Sequence, residues 1–101
     1  MWILRSTVDA ETALTFRLPI GATKTVGRAV RSDFILDAAL VSRVHCRLMA
    51  SDAGELEVED LDSTNGTFVN DQRVQRATLS SGDRLRIGRV ELAITKETRE
   101  S

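Results

Sequence analysis

The sequence predicts an all-β domain, a sandwich or a barrel. Two observations lead there: short segments alternate apolar with polar residues, and clusters of turn-forming residues separate them. A third agrees with them, because Pro19, the single proline, falls at a strand end, where its missing N–H costs least.

Taken in order, Met1-Trp2-Ile3 leads into a first strand. Leu14, Phe16 and Leu18 then alternate with Thr15 and Arg17. The stretch from Leu36 to Leu48 is ambiguous. Leu36, Leu40, Val44 and Leu48 recur at helical spacing behind a possible Asp37 cap, whereas Val44, Cys46 and Leu48 also alternate with His45, Arg47 and Met49 as in a strand. Leu56 and Val58 alternate with three glutamates. Leu85 and Ile87 alternate with Arg84 and Arg86, and Val90, Leu92 and Ile94 complete the pattern. The turns expected between these strands are Asp52-Ala53-Gly54, Ser63-Thr64-Asn65-Gly66, Asn70-Asp71, Ser80-Ser81-Gly82-Asp83 and Gly88. Residues 1–96 read as one domain, and the charged, apolar-free residues 97–101 as a disordered tail or the start of a linker.

A length of 101 residues suits a single core that needs no staples. No apolar run is long enough to span a bilayer as a helix, and the first residues do not resemble a signal peptide. A formal net charge of -1 argues against non-specific attraction to nucleic acid or anionic membrane. The single cysteine, Cys46, excludes an internal disulfide and fits a reducing, intracellular compartment.

Metal and nucleophile chemistry find little support. His45 and Cys46 are adjacent, so on a strand they point to opposite faces and cannot share an ion. Ser42, His45 and Asp60 could be arranged as nucleophile, base and orienter, but nothing nearby resembles a nucleophile elbow or an oxyanion hole. No enzyme activity, metal or cofactor is expected.

Four elements carry the functional signal through their order. They are Gly27-Arg28, Ser42-Arg43-Val44-His45, Ser63-Thr64-Asn65-Gly66-Thr67-Phe68-Val69-Asn70, and Gly82-Asp83 with Gly88. Each is weak alone, but in this order they resemble the forkhead-associated (FHA) family, from about Thr23 to Ile94. The resemblance implies a β-sandwich of two mostly antiparallel sheets with its binding site on loops at one end. It also implies a module that binds phosphothreonine-containing proteins. Arg28 and Ser42 would then hold the phosphate, with Arg43 assisting. Thr64 would add a hydroxyl and Asn65 would hydrogen-bond the ligand main chain. Gly27, His45, Gly66 and Asn70 would be scaffold, with His45 bracing the loops. The chemistry of these residues suits such a ligand. Phosphothreonine carries nearly two negative charges and three strong acceptors, and arginine offers a planar fork of donors. Ser42 offers a hydroxyl and a backbone N–H.

Plainer readings stand beside these. Arg28 and Arg43 could be solvated surface charges, Ser42 a turn or cap residue, and Asn65-Gly66 a tight turn whatever the function. Phe68 and Val69 read as core, and Asn70 as a residue tying down a turn. The alternative to phosphothreonine recognition is an assembly domain of the same fold that joins partners without phosphate. The loop Asp37-Ala38-Ala39-Leu40-Val41 carries no basic residue, so weak selection for an acidic ligand residue three positions after the phosphothreonine is expected. Arg31 is a second candidate for reading acidic ligand residues.

The start of the chain, with Arg17-Leu18, Gly21 and Val26-Gly27-Arg28 following it, further resembles nibrin-like DNA-repair proteins. That narrower resemblance implies a nucleus, DNA damage signalling, Ser/Thr-Asp-rich repair or checkpoint partners, and Mre11–Rad50 engaged through other parts of a longer chain.

Overall fold

The computed structural model describes residues 1–7 and 14–97. Eleven strands run in order: β1 (Trp2–Ser6), β2 (Thr15–Leu18), β3 (Thr23–Gly27), β4 (Phe34–Ile35), β5 (Cys46–Ala50), β6 (Leu56–Asp60), β7 (Thr67–Val69), β8 (Gln72–Val74), β9 (Arg76–Leu79), β10 (Arg84–Ile87) and β11 (Val90–Lys96). Six of them form one sheet, ordered β2-β1-β11-β10-β7-β8, and five the other, ordered β4-β3-β5-β6-β9. All pairs are antiparallel except β3 with β4. This is the two-sheet, mostly antiparallel sandwich that the resemblance implies.

Alternation builds the core. Leu56 and Val58 of β6 turn inward while Glu57 and Glu59 stay half-exposed, and Leu85 and Ile87 do the same on β10. The inner faces of both sheets meet in one apolar cluster that includes Trp2, Leu4, Leu48, Leu92 and Ile94. Phe16 of one sheet stacks on Phe34 of the other, ring centroids 4.6 Å apart and nearly parallel.

Two local expectations need revision. Residues 36–45 form neither a helix nor a strand, and regular pairing resumes only at Cys46. Leu36 and Val41 are buried, whereas Leu40 points outward with φ 70°. The four-residue spacing therefore records where an irregular loop dips into the core. Phe68 is not a core residue: it lies half-buried on the outer face of its sheet, with the Arg86 guanidinium carbon 4.4 Å from its ring centre. Val69, one residue on, packs against the core. At the chain's far end Lys96 completes β11 and the Glu97 N–H donates to the Met1 carbonyl at 2.8 Å. Of the expected tail, residues 97–101, all but Glu97 lie outside the described residues.

Candidate phosphopeptide-binding site

Gly27 ends β3 beside the loop that follows Val41. A Cβ built on Gly27 would lie 2.1 Å from the Arg43 carbonyl oxygen and 2.8 Å from the Ser32 hydroxyl oxygen, so no side chain fits. That close approach locks two loops together. Arg28 N–H donates to the Ser42 carbonyl and Ala29 N–H to the Arg43 carbonyl, both at 3.0 Å, while the Ser32 hydroxyl also donates to the Arg43 carbonyl.

The Arg28 side chain is held by the same loop. Its Nε donates to the Val41 carbonyl at 3.1 Å, and among the described residues its two Nη atoms make no hydrogen bond. The guanidinium is thus oriented but its outer edge is unoccupied. It borders an open cleft of about 530 Å³ lined also by Asp37, Ala38, Ala39, Leu40, Val41, Ser42, Thr64 and Asn65. Arg43 is exposed beside this cleft's lining residue Ser42, but is not itself part of the lining.

His45 sits fully buried between the loops. Its Nδ1 accepts the Ser42 N–H at 3.0 Å, and its Nε2 lies 2.9 Å from the Gly66 carbonyl. A backbone N–H can donate only to a lone pair, so the neutral tautomer protonated at Nε2 satisfies both contacts. This arrangement revises the expectation for Ser42: its N–H is consumed by His45, leaving only the hydroxyl facing the cleft. That hydroxyl oxygen accepts the Thr64 N–H at 3.1 Å, and Asn65 Nδ2 donates to the Leu40 carbonyl at 3.1 Å. The three loops carrying Arg28, Ser42 and Thr64-Asn65 are therefore cross-linked at the cleft floor.

The nucleophilic reading of Ser42, His45 and Asp60 fails on geometry. His45 bonds the backbone of Ser42 rather than its hydroxyl, and its other nitrogen faces Gly66, not Asp60. Asp60 serves the loop instead. Its carboxylate accepts the Ser63 hydroxyl, the Ser63 N–H at 3.2 Å and the Thr67 hydroxyl at 2.7 Å, and the Ser63 oxygen in turn accepts the Gly66 N–H. Burial by itself would raise the Asp60 pKa. The hydrogen bonds from Ser63 and Thr67 outweigh it and hold the carboxyl below its ordinary value. Cys46 lies in the core, where burial and the Asp60 charge push its thiol up and leave it inert. No cluster of metal-ligating side chains occurs among the described residues.

Sequence reasoning overlooked Ser32, Ser63, Thr67 and the structural use of Asp60. The Asp60-x-x-Ser63 spacing held a signal, since an aspartate readily accepts the N–H of a residue just beyond it in a turn. Gly88, expected as a turn residue, also lies under the cleft's rim, because a Cβ there would come within 2.9 Å of the Ala39 carbonyl. Asn70, with φ 49°, accepts the Arg84 N–H through Oδ1 and donates through Nδ2 to Asp83, well away from the cleft lining.

A model of the FHA domain matches residues 24–88. The chain belongs to the FHA family. FHA domains are phosphopeptide-binding, protein-interaction modules rather than an enzyme fold, and this chain carries that fold. The FHA domain of FhaA, solved in complex with the intracellular domain of Rv3910, superposes with a TM-score of 0.81 at 33% identity, covering 93% of this chain and 99% of that one. EmbR of Mycobacterium tuberculosis, solved with a low-affinity phosphopeptide, gives a TM-score of 0.81 at 26% identity, covering 99% of this chain and 25% of that one.

Among curated proteins, the oxoglutarate dehydrogenase inhibitor of Corynebacterium diphtheriae is 42% identical over 76% of this chain and 53% of its own length. The glycogen accumulation regulator GarA of Mycolicibacterium smegmatis is 41% identical over 69% of this chain and 44% of its own length. An ABC transporter ATP-binding/permease protein of Mycobacterium tuberculosis is 41% identical over 84% of this chain, which spans only 10% of that protein. The FHA domain thus spans about half or less of the length of these relatives. They are bacterial proteins, and bacteria have no nucleus, so the expected nuclear location is overturned. The DNA-repair setting and the Mre11–Rad50 partners implied by the nibrin resemblance likewise find no counterpart among them.

Proposed function

We propose that residues 1–96 form a phosphothreonine-specific recognition unit that brings its parent protein to phosphorylated regulatory partners. The observation that carries this reading is the Arg28 guanidinium, tied through Nε to the Val41 carbonyl with its outer edge turned to the cleft that Ser42, Thr64 and Asn65 also line. A phosphate there takes paired charge-assisted hydrogen bonds from Arg28 and one from the Ser42 hydroxyl. Arg43 adds charge from the rim, and Thr64 contributes its hydroxyl. Asn65, whose Nδ2 is occupied by Leu40, presents Oδ1 to a ligand N–H. Gly27, His45 and Gly66 hold these groups in register, and Asn70 fixes the turn after β7.

Preference for threonine over serine requires that the cleft take the γ-methyl group. One buried methyl contributes only about 0.8 kcal/mol, so fit and reduced rotamer freedom supply the remainder. The loop from Asp37 to Leu40 presents an acidic and several apolar residues to the cleft, so selection for an acidic residue three positions after the phosphothreonine is weak. Relatives named as an inhibitor and as a regulator favour a regulatory use of the site.

Fluorescence anisotropy with a phosphothreonine peptide library, against phosphoserine and unphosphorylated versions, tests the reading. Binding should require phosphothreonine, and Arg28→Ala should cost about 2–5 kcal/mol of affinity while leaving the folded state intact. Equal binding of unphosphorylated peptides, or affinity unchanged in Arg28→Ala, would transfer the chain to the phosphate-independent assembly reading.

A further inference from the structure

The outer face of the six-stranded sheet carries an unusual concentration of positive charge. Strand register places Arg17 of β2, Arg5 of β1, Arg84 and Arg86 of β10 and Arg73 of β8 on this one face. Among the described residues, two carboxylates answer these five arginines. Glu91 accepts the Thr7 hydroxyl and lies 4.0 Å from Arg84, and Asp71 pairs with Arg86. Among the described residues Arg5, Arg17 and Arg73 make no ion pair.

The opposite sheet differs. Its outer face presents Glu57 and Glu59, which pair across strands with Arg76 and Arg47. Since the whole chain carries a formal charge of -1, the arginine-rich face is a segregated patch and not a sample of the average surface. None of its arginines lines the Arg28 cleft.

We propose that this face is a second docking surface, for an acidic polypeptide segment that need not be phosphorylated. Charge complementarity selects the occupant. A duplex nucleic acid or an anionic membrane is an extended polyanion that meets the field of the whole molecule, which is slightly negative, so long-range attraction is small. A short acidic segment meets only the local patch. Arg5 and Arg84 lie two strands apart, as do Arg86 and Arg73, which is on the order of 10 Å at ordinary strand spacing. Carboxylates about three residues apart in an extended chain match that interval. Arg86, seated on Phe68 and paired with Asp71, supplies a guanidinium held in a fixed position.

The test uses the whole chain and a fluorescent ten-residue peptide in which glutamates are separated by two glycines, free of phosphate, followed by anisotropy. Saturable binding is expected, weakened at least tenfold in Arg5→Glu/Arg84→Glu and to a smaller extent in Arg5→Gln/Arg84→Gln. Thermal melts should show all forms folded, because both side chains are exposed. A short phosphothreonine peptide should bind the double variants as it binds the parent and should not displace the acidic peptide, which separates this surface from the Arg28 site. Absence of saturable binding, or binding indifferent to both double variants, overturns the proposal. So does tighter, variant-sensitive binding to phosphatidylglycerol vesicles or duplex DNA than to the acidic peptide, which would assign the surface to a different class of partner.

Discussion

Gly27 and His45 show how single residues set the geometry of this site. At Gly27 the Arg43 carbonyl occupies the space a Cβ needs, and the obstacle is backbone rather than a side chain that can turn aside. Gly27→Ala should therefore destabilise the fold by about 1–3 kcal/mol, the range for overpacking, and should also displace Arg28. Urea unfolding and a phosphopeptide titration would read both effects, and unaltered stability would contradict the close approach. His45 joins the Ser42 and Gly66 backbones through its two ring nitrogens. The neutral Nε2–H form should appear in ¹⁵N NMR spectra at neutral pH. His45→Ala should cost about 2–4 kcal/mol, because it orphans a buried donor and a buried acceptor. The sequence marks both residues as scaffold. What it withholds is the partner in each case, since Arg43 and Gly66 are brought to them only by folding.

Among the elements, the loop between β6 and β7 is organised around one carboxylate. Asp60 accepts three hydrogen bonds from Ser63 and Thr67, and these depress its pKa against the opposing effect of burial. The folded-state value is therefore below the unfolded one. The resulting stabilisation is complete above the unfolded value of 3.8 and is lost as pH falls through the lower, folded value. The stability difference between the parent chain and Asp60→Asn should thus narrow below about pH 4, as chemical denaturation at successive pH values would show. A constant difference down to about pH 2 would mean that the carboxylate charge is not what holds the loop. The strands of this region were legible in part: β6 declared itself by alternation, whereas β7, β8 and β9 have three or four residues each, too few for a period to stand out. The Asn70-Asp71 turn was legible because both residues tolerate the positive φ values of 49° and 69° found there.

The whole molecule depends on pairing its two ends. β1 lies between β2 and β11, and Trp2, Ile3 and Leu4 are all buried. The residues matched by the FHA family model, 24–88, hold every candidate contact of the cleft but omit all of β1, β2 and β11. A chain of residues 24–88 should accordingly fail to fold, because the six-stranded sheet would lose half its strands and one wall of the core. Far-UV circular dichroism and a thermal melt would decide it, and a cooperative transition in that fragment would show that the five-stranded sheet suffices. The same dependence explains why the loops form a site at all. Arg28, Ser42 and Thr64 follow different strands, and the packed sandwich keeps their loops at one end.

The sequence by itself determined the all-β class, several strands and the turns between them, because alternation and turn chemistry are local and each is written in a few consecutive residues. Through the order of its motifs it also pointed to the FHA family and to the residues that surround the cleft. Tertiary structure decided the rest. The segment from Leu36 to His45 fitted two periods and adopts neither, since its path is dictated by the Gly27 and Gly88 backbones packed against it. The Ser42 N–H, open to a ligand as far as the sequence tells, is taken by a ring nitrogen three residues away. The arginines of the outer sheet face lie up to 81 positions apart in the chain, between Arg5 and Arg86, and become neighbours only through strand register. Long-range pairing is a property of the folded sheet, and no window of local sequence contains it.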